Sequence, residues 1–426
     1  MSGARDGTLR TDGRVDESDR GMNQLREPSP AELRRAIQEE LAPERLVVRR
    51  DHAGALSLRI LSGALEGVDD PFARVEEILK VHGLRLPDRT LTILKAPGDL
   101  EDKAEEELFF ADEGRGTPSW GDGLLLEPCR PLPRDDRGFE AKVVAFWAVP
   151  GGVGCSTALV HVAAILGRRK RVLAIDLDLE SPSLIAILAG GDGSEPRVRI
   201  EELVRAAAAG DRTDEDLQRL IRQALYRPGD RSCLFEVLGP VLADTPYVLN
   251  LQGPLAPAAL YRGRRPALPR LVDQAIRATD AEVLLLDARS GYCDDSAMSV
   301  LDLADEVVLF ASPAPSTFPS LAPAVEALER NRQALGRPKI VYIVAGMMPA
   351  GEIARARILE TLQETLESAQ QEVSEILETP DGDRPPEIVI IPVDYSCRIV
   401  ENEGTLLHHA SGGYREIAER ICPALP

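Results

Sequence analysis

The part of the chain that begins at residue 141 alternates short apolar runs with segments of helical spacing. The runs are rich in Val, Ile and Leu and read KVVAFWAV, RVLAID, YVLNLQ, EVLLLDA, EVVLFAS, IVYIVAG and EIVIIPV. Strands that are buried on both faces have such nearly continuous apolar sequences, and parallel sheets covered by helices are built from them. Residues 141–426 are therefore predicted to form an α/β domain with a mainly parallel sheet and helices on both faces.

The preceding segments follow other patterns. Residues 1–27 are polar and rich in Gly, Asp, Arg and Ser, and they are predicted to be disordered. Residues 28–97 contain a helical segment, two alternating segments that suggest a hairpin, a second helical segment and a third strand. They are predicted to form a small α/β module of unknown role. Residues 98–140 combine an acidic run with many Gly and Pro residues and are predicted to be a linker.

Within the long α/β part, residues from about 194 to 245 have mostly helical patterns, such as IEELVRAAAAG and DEDLQRLIRQAL. They are predicted to be a helical insertion that serves as a lid or a partner surface.

The composition limits the classes of partner. Acidic residues outnumber basic ones by 70 to 50, and the net charge of −20 disfavours nucleic-acid binding by the body of the protein. The six cysteines show no C-x-x-C spacing, so neither a zinc site nor a disulfide framework is indicated, and a reducing, cytoplasmic location is expected. No apolar run reaches the roughly 20 residues needed to span a bilayer, and the N-terminus lacks the apolar core of a signal peptide.

A glycine-rich turn follows the first apolar run and precedes a helical segment. It contains Gly151, Gly152 and Gly154. Glycines let a backbone bend sharply and turn its N–H groups toward a phosphate, and the N-terminus of the next helix adds a favourable dipole. Ser156 or Thr157 would supply a hydroxyl to Mg²⁺. The alternative is an ordinary glycine turn in a βα connection.

Acidic residues end two further apolar runs. Asp176 ends RVLAID and is followed by Asp178, whereas Asp287 lies at the end of EVLLLDA, with Arg289 two residues later. The carboxyl ends of parallel strands form the edge at which ligands bind in open α/β sheets. Carboxylates there can hold Mg²⁺ or orient an attacking water, and an arginine can reach a phosphate. The alternative for Asp176 and Asp178 is a polar strand end without a catalytic role.

Three segments in this order resemble the MinD/ParA group of P-loop ATPases, whose deviant Walker A motif has the form KGGVGK[ST]. They read GGVGCSTALVHVAAIL, VLAIDLDLESPSL and VLLLDARSGYCDDS. The match is closer to a bacterial subgroup with the forms KGGVGR[ST], DLEAPG and DSRTG, which occurs in multidomain regulatory and conflict-system proteins. The resemblance covers residues 141–422. It implies a Rossmann-like P-loop NTPase fold that binds ATP and Mg²⁺ and works as a homodimer or with a protein partner.

The resemblance also assigns roles to individual residues. The phosphate loop would comprise Gly151, Gly152, Gly154, Cys155, Ser156 and Thr157. Asp176 or Asp178 would orient water or metal. Asp287 would be the Walker B carboxylate and would hold Mg²⁺ together with Ser156. The segment around the base would contain Pro392 and Asp394.

Two cations of that family are missing from the loop. The signature lysine that reaches across an ATP-sandwiched dimer is Pro150 here, and the lysine or arginine that contacts the β- and γ-phosphates is Cys155. A charge-assisted contact to phosphate contributes about 1.5–3 kcal/mol, so nucleotide binding is expected to be weaker by roughly ten- to a hundredfold or more. The loss in hydrolysis is expected to be larger, because these cations act on charge in the transition state. The motif is a degenerate Walker A.

Three functions are compatible with a degenerate loop. The first is an ATP-responsive switch or pseudo-ATPase, in which Asp176, Asp178 and Asp287 carry any remaining weak ATPase activity. The second is a structural scaffold that binds no nucleotide. The third is a slow ATPase in which an arginine, with Arg289 as the candidate, replaces the lost lysine. A separate hypothesis makes Cys155 a reactive nucleophile or redox sensor, because a helix N-terminus lowers the pKa of a thiol.

Overall fold

The structure is a computed structural model that describes most of the chain from residue 30 onward. The described residues are 30–43, 45–50, 56–65, 68–84, 91–94, 120, 141–188, 196–209, 212–228, 234–241, 244–251, 255–260, 266–335, 339–376, 389–394 and 412–423. The predicted disordered tail, residues 1–27, lies outside them. So does the predicted linker, residues 98–140, apart from Trp120.

The N-terminal segments form a three-stranded sheet with two helices. Its elements are α1 Pro30–Leu41, β1 Arg45–Arg50, β2 Leu56–Leu61, α2 Pro71–Val81 and β3 Leu91–Leu94. Strands β1 and β2 pair antiparallel, whereas β2 and β3, which are joined through α2, pair parallel. Helix α2 begins where the side chain of Asp70 accepts the backbone N–H of Ala73. The strand, strand, helix, strand order expected from the sequence is present.

A second sheet contains seven strands from the rest of the chain. They are β4 Lys142–Ala148, β5 Val172–Asp176, β6 Phe235–Leu238, β7 Val283–Asp287, β8 Glu306–Ala311, β9 Lys339–Met348 and β10 Val389–Asp394. Their spatial order is β10-β9-β8-β4-β7-β5-β6, and every neighbouring pair is parallel. The predicted fold class, a Rossmann-like α/β sheet, is confirmed.

Helices cover both faces of this sheet. They are α3 Cys155–Leu166, α4 Leu184–Leu188, α5 Ile200–Ala208, α6 Asp214–Ala224, α7 Thr245–Leu251, α8 Pro257–Leu260, α9 Ala267–Thr279, α10 Asp294–Ala297, α11 Ala322–Leu335, α12 Glu352–Ile376 and α13 Gly412–Ile421, with a π-helix at Met298–Leu303. Alternate residues of β4 serve different cores. Val143 and Trp147 belong to the core that includes residues of α5, α6 and α9, whereas Val144 and Phe146 belong to the core that includes residues of α3 and α13. A strand with apolar residues at every position is therefore buried on both sides.

The region from about 194 to 245 differs from the prediction in two respects. The prediction that the run YVLNLQ forms a strand is wrong, because Thr245–Leu251 is helix α7. In this helix Tyr247 is buried, whereas Val248 and Leu249 are exposed. The strand of this region is β6 instead, a short edge strand that pairs with β5. The insertion is therefore helical only in part. The charged residue Glu236 interrupts the apolar sequence of β6, so the hydrophobicity pattern did not predict this strand.

No helix in the part of the chain that the structure describes is long and apolar enough to cross a membrane.

Candidate functional site

The glycine loop joins the central strand β4 to helix α3. Gly152 and Gly154 have φ angles of 76° and 88°, a conformation that glycine adopts without strain. Gly154 is the N-cap of α3 and has no side chain to bond the free N–H groups of the first turn. Those groups remain available to an anion, and the helix dipole favours one at this position. The predicted arrangement of strand, glycine turn and helix is thus present, and its role as a phosphate loop stays a prediction.

The loop is held in place by contacts with two neighbouring strand ends. A Cβ on Gly346 of β9 would lie 2.4 Å from the carbonyl oxygen of Val153, so the loop packs directly on the backbone of β9. On the other side, the N–H of Gly291 donates to the carbonyl of Ala148 at 2.8 Å. A Cβ on Gly151 would meet Ser290 Oγ at 3.6 Å. Gly346 and Ser290 were not among the predicted site residues.

Asp287 lies beside the loop in a fully buried position. It ends β7 and stands directly opposite Asp176 of β5 in the strand register. The hydroxyl of Ser156 in the first turn of α3 donates to its carboxyl group. Its Oδ2 is buried and has no hydrogen-bond partner among the described residues. Burial, and next the charge of Asp176, raise the pKa of Asp287 well above its ordinary value, despite the bond from Ser156.

Asp176 uses both carboxyl oxygens to organise the loop that follows β5. Oδ2 accepts the backbone N–H groups of Ser183 and Leu184 at 2.8 and 3.0 Å, and Oδ1 accepts that of Asp178 at 3.2 Å. Burial raises the pKa of Asp176 to about 7, and the three backbone donors oppose that rise. A Cβ on Gly239, after β6, would lie 2.8 Å from the Cβ of Asp176. Asp176 therefore shapes the loop with the oxygens that a ligand would need.

Asp178 is the freer carboxylate of the pair. It is half-buried, and its Oδ1 accepts the N–H of Ser181 at 3.3 Å. Burial raises the pKa of Asp178, whereas the nearby guanidinium of Arg289 lowers it. Of the two residues predicted to orient water or metal, Asp178 has the greater capacity to accept another partner.

Arg289 forms ion pairs with two carboxylates, one in the loop after β5 and one in helix α10. Nη2 lies 2.6 Å from Glu180 Oε2, and Nη1 lies 3.2 Å from Asp295 Oδ2. Burial raises the pKa of Asp295 to about 6, although the hydrogen bond from Arg289 acts in the opposite direction. The guanidinium predicted to reach a phosphate is therefore engaged with two carboxylates, and a phosphate would have to compete for it.

Cys155 is a buried residue in the first turn of α3. Its side chain belongs to the core that contains Ala158 and Leu159, and it is 9% exposed. Burial, followed by the charges of Asp287 and Asp178, raises the pKa of the thiol well above its usual value. Burial and the neighbouring carboxylates oppose the effect of the helix N-terminus and do not favour the hypothesis of an activated cysteine.

The remaining predicted residues lie at the same edge of the sheet. Thr157 is half-buried in the first turn of α3. Pro392 and Asp394 end strand β10, where they pair with Ala345 and Met348 of β9. Strand β10 is third from β4, so their predicted location near the base stays a prediction.

Metal binding at this site would require more than side chains. Among the described residues, no group of three or more His, Cys, Asp or Glu side chains forms a metal set. Mg²⁺ commonly takes one or two carboxylates, with waters and substrate phosphates filling the other positions. Ser156 and Asp287 fit that smaller set, because the hydroxyl of Ser156 bonds to the carboxyl group of Asp287, whose Oδ2 has no hydrogen-bond partner among the described residues.

An aromatic cluster behind the loop was missed by the sequence reasoning. The ring of Trp120 stacks on that of Trp147 in β4, with centroids 4.4 Å apart. Tyr292 meets both indoles edge-on, at 5.2 and 5.6 Å. A single tryptophan in a stretch rich in Gly and Pro gives no periodic signal, so the pattern of the linker did not indicate a buried anchor.

Comparisons with known proteins concern the fold. No family model matches the sequence, and no curated protein matches it. Solved structures that are similar include apo McdA of Cyanothece, with 15% identity, a TM-score of 0.45, and coverage of 67% of this chain and 100% of that one. The ParA family ATPase of Chlorobium tepidum has 18% identity, a TM-score of 0.41, and coverage of 66% and 98%.

A third similar structure is the septum site-determining protein MinD of Pyrococcus horikoshii in complex with Mg-ADP. It has 19% identity and a TM-score of 0.42, and the match covers 66% of this chain and 94% of that one. ATPases of the MinD and ParA group, named above from sequence motifs, are thus among the similar structures. Likeness at this level carries no conclusion about what the present chain binds.

Proposed function

We propose that residues 141–426 bind ATP together with Mg²⁺ and act as a nucleotide-responsive switch with little or no hydrolysis. The observation that carries this proposal is the unpartnered Oδ2 of Asp287, which is fully buried beside Ser156 at the start of α3. Leaving a buried carboxylate oxygen without a donor costs about 1–3 kcal/mol or more. A bound cation would remove that cost, and the adjacent glycine loop offers N–H groups to the phosphates that such a cation accompanies.

Ser156 and Asp287 would hold the metal, and the loop from Gly151 to Gly154 would hold the phosphates. Mg²⁺ would supply charge neutralisation to the phosphate oxygens when bound. Asp176 would keep the loop after β5 in position through its three backbone donors. Asp178, half-buried beside it, would orient a water.

The missing lysines explain why we assign a switch. Pro150 and Cys155 stand at the two positions where the family has cations, and the guanidinium of Arg289 is bound to Glu180 and Asp295. Nucleotide can bind through backbone N–H groups and Mg²⁺. Hydrolysis, in contrast, would lack the lysine side chains that stabilise the negative charge of the transition state. By analogy with the subgroup whose motifs it resembles, we assign the chain to a cytoplasmic bacterial regulatory or conflict system, acting as a homodimer or with a protein partner.

Calorimetric titration of the full chain with ATP tests this function. We expect saturable heat with Mg²⁺, a weaker response with excess chelator, and loss of the Mg²⁺ dependence in Asp287→Ala. Asp273→Ala is the matched control, because Asp273 is a half-buried carboxylate on helix α9 that bonds to Arg277. No heat at millimolar ATP would overturn the proposal and leave the scaffold function. Turnover that both Asp287→Ala and Arg289→Ala abolish would favour the slow ATPase instead.

A further inference from the structure

Trp120 is a buried residue in a segment whose composition predicts a linker. It is 5% exposed and stacks on Trp147, with an interplanar angle of 20°. Its Nε1–H donates to Ser296 Oγ at 2.8 Å. A stacked ring and a satisfied indole donor together indicate a specific contact, because buried tryptophan usually finds a partner for its N–H.

The contact is made to the loop that follows β7. Trp147 Nε1 donates to the carbonyl of Gly291 at 3.2 Å, so two indoles hold the two ends of the segment Gly291–Ser296. Ser296 Oγ bonds in turn to the carbonyls of Gly291 and Cys293 at 2.6 and 2.9 Å. The ring of Tyr292 closes the arrangement by meeting both indoles edge-on.

Residues of the Gly291–Ser296 loop also contact residues of the candidate nucleotide site, directly or through Arg289. Its start, Gly291, bonds to Ala148 at the end of β4. Its Asp295 pairs with Arg289, and Arg289 pairs with Glu180, two residues after Asp178. A continuous series of contacts therefore runs from Trp120 to the loops that bear Asp178 and Asp287.

We propose that Trp120 is a positioning residue, which docks on the Gly291–Ser296 loop and holds the nucleotide site in its binding geometry. Along the sequence, Trp120 lies between the N-terminal module, residues 28–97, and the α/β domain that begins at residue 141. A partner that engages the module and displaces Trp120 would lower the affinity for nucleotide, and by linkage nucleotide would strengthen the docking. The coupling rests on the proposed function, whereas the docking does not.

The fluorescence of the full-length chain tests the docking without any nucleotide. The chain has two tryptophans, so Trp147→Phe leaves Trp120 as the only one. We expect blue-shifted emission that acrylamide quenches poorly, with a red shift and efficient quenching in urea. Emission typical of exposed indole in the folded protein would overturn the docking. Trp120→Phe, which leaves Trp147 alone, gives the matching spectrum of a buried strand residue and confirms that the fold is intact.

Calorimetry with Mg²⁺ and ATP tests the coupling. We expect Trp120→Ala to bind about tenfold more weakly, within the usual range of coupling between sites. Trp120→Phe should fall between Trp120→Ala and the unmodified chain, because it keeps a stacked ring but loses the donor to Ser296. Leu362→Ala is the control, because Leu362 of α12 is fully buried in the core that contains Trp120.

Equal affinity of Trp120→Ala and the unmodified chain would overturn the coupling. So would an equal loss in Leu362→Ala, which would show a general effect of lower stability. If the unmodified chain binds no nucleotide, the proposed function and the coupling fail together, and the fluorescence measurement still decides the docking.

Discussion

Gly346 of β9 approaches Val153 of the glycine loop so closely that a Cβ on Gly346 would stand 2.4 Å from the carbonyl oxygen of Val153. Real Cβ atoms do not come so near a backbone oxygen, so Gly346→Ala must displace the loop or the end of the strand. We expect this substitution to weaken nucleotide binding about tenfold or more, because the N–H groups of the loop would leave their present positions. Calorimetry with Mg²⁺ and ATP measures the effect.

Gly351 provides the matched control for that substitution. A Cβ there meets no atom within 4 Å, and the residue is exposed just before α12. Gly351→Ala should bind nucleotide as the unmodified chain does. If Gly346→Ala binds equally well, nucleotide binding does not depend on the contact between the loop and β9, and the prediction is contradicted.

Cys155→Lys is expected to strengthen nucleotide binding by roughly tenfold or more, since it restores a charge-assisted contact to phosphate. Burial, and after it the charges of Asp287 and Asp178, raise the pKa of the thiol; those two carboxyl groups would favour an ammonium group, whereas burial would disfavour it. Calorimetry should be combined with a phosphate-release assay. Cys155→Ala removes the thiol without adding charge and should leave affinity unchanged. An unaltered affinity in Cys155→Lys would show that the pocket has lost more than its lysine.

Arg289→Ala should destabilise the protein by about 1–3 kcal/mol in urea unfolding, because it leaves the carboxyl group of Asp295 buried without its guanidinium. Glu180→Gln should cost less than about 1 kcal/mol, since Glu180 is largely exposed and such pairs contribute little. A double-mutant cycle with Asp295→Asn measures the first interaction directly. Additive effects of Arg289→Ala and Asp295→Asn would contradict it.

The titration of Asp176 predicts a pH dependence of stability. Burial raises its pKa to about 7 from an unfolded value near 4, so the folded protein binds the proton more tightly than the unfolded chain. The free energy of unfolding contributed by this group is then greatest below pH 4 and falls as the pH rises toward 7, by on the order of a few kcal/mol. Asp176→Asn should flatten the decline, and urea unfolding at several pH values measures it.

The pKa of Asp244 is shifted in the opposite direction from that of Asp176. Hydrogen bonds, first from Arg199 and then from the backbone of Tyr247, lower its pKa to about 2, so its contribution is lost only as the pH falls below about 4. Asp244→Asn should therefore leave the curve between pH 4 and 7 parallel to that of the unmodified chain. Parallel curves for Asp176→Asn as well would contradict the assignment.

The central strands could be predicted because a strand that is buried on both faces has apolar residues at nearly every position. Strands β4, β5 and β7 each coincide with a continuous apolar run. The pattern failed where burial was one-sided. Helix α7 has Tyr247 buried and Leu249 exposed within a run that reads as a strand, and Glu236 breaks the apolar run of edge strand β6. Local sequence does not show which side of a short apolar run a neighbour will cover.

The candidate site was predictable as a set of residues and not as a set of roles. Parallel strands bring their ends to one edge, and Asp176 and Asp287 are indeed paired in the register. The use of Asp176 by the N–H groups of Ser183 and Leu184 depends on the path of the following loop, which residue types alone do not determine. The contacts of Gly346 and Trp120 join positions far apart in the chain, so neither carried a local signal.

The last helix that the structure describes, α13, packs on α3, the helix that carries Ser156. Tyr414 of α13 stacks on His161 of α3, with centroids 4.7 Å apart, and both rings are buried. Ribosomes add about 5–20 residues per second, so α3 would wait roughly ten to fifty seconds for α13 to be synthesised. During that interval the apolar side of α3 is not yet packed against α13. A translation product that stops before residue 412 would expose that surface permanently, and such fragments are expected to aggregate or to be degraded rather than to compete for nucleotide.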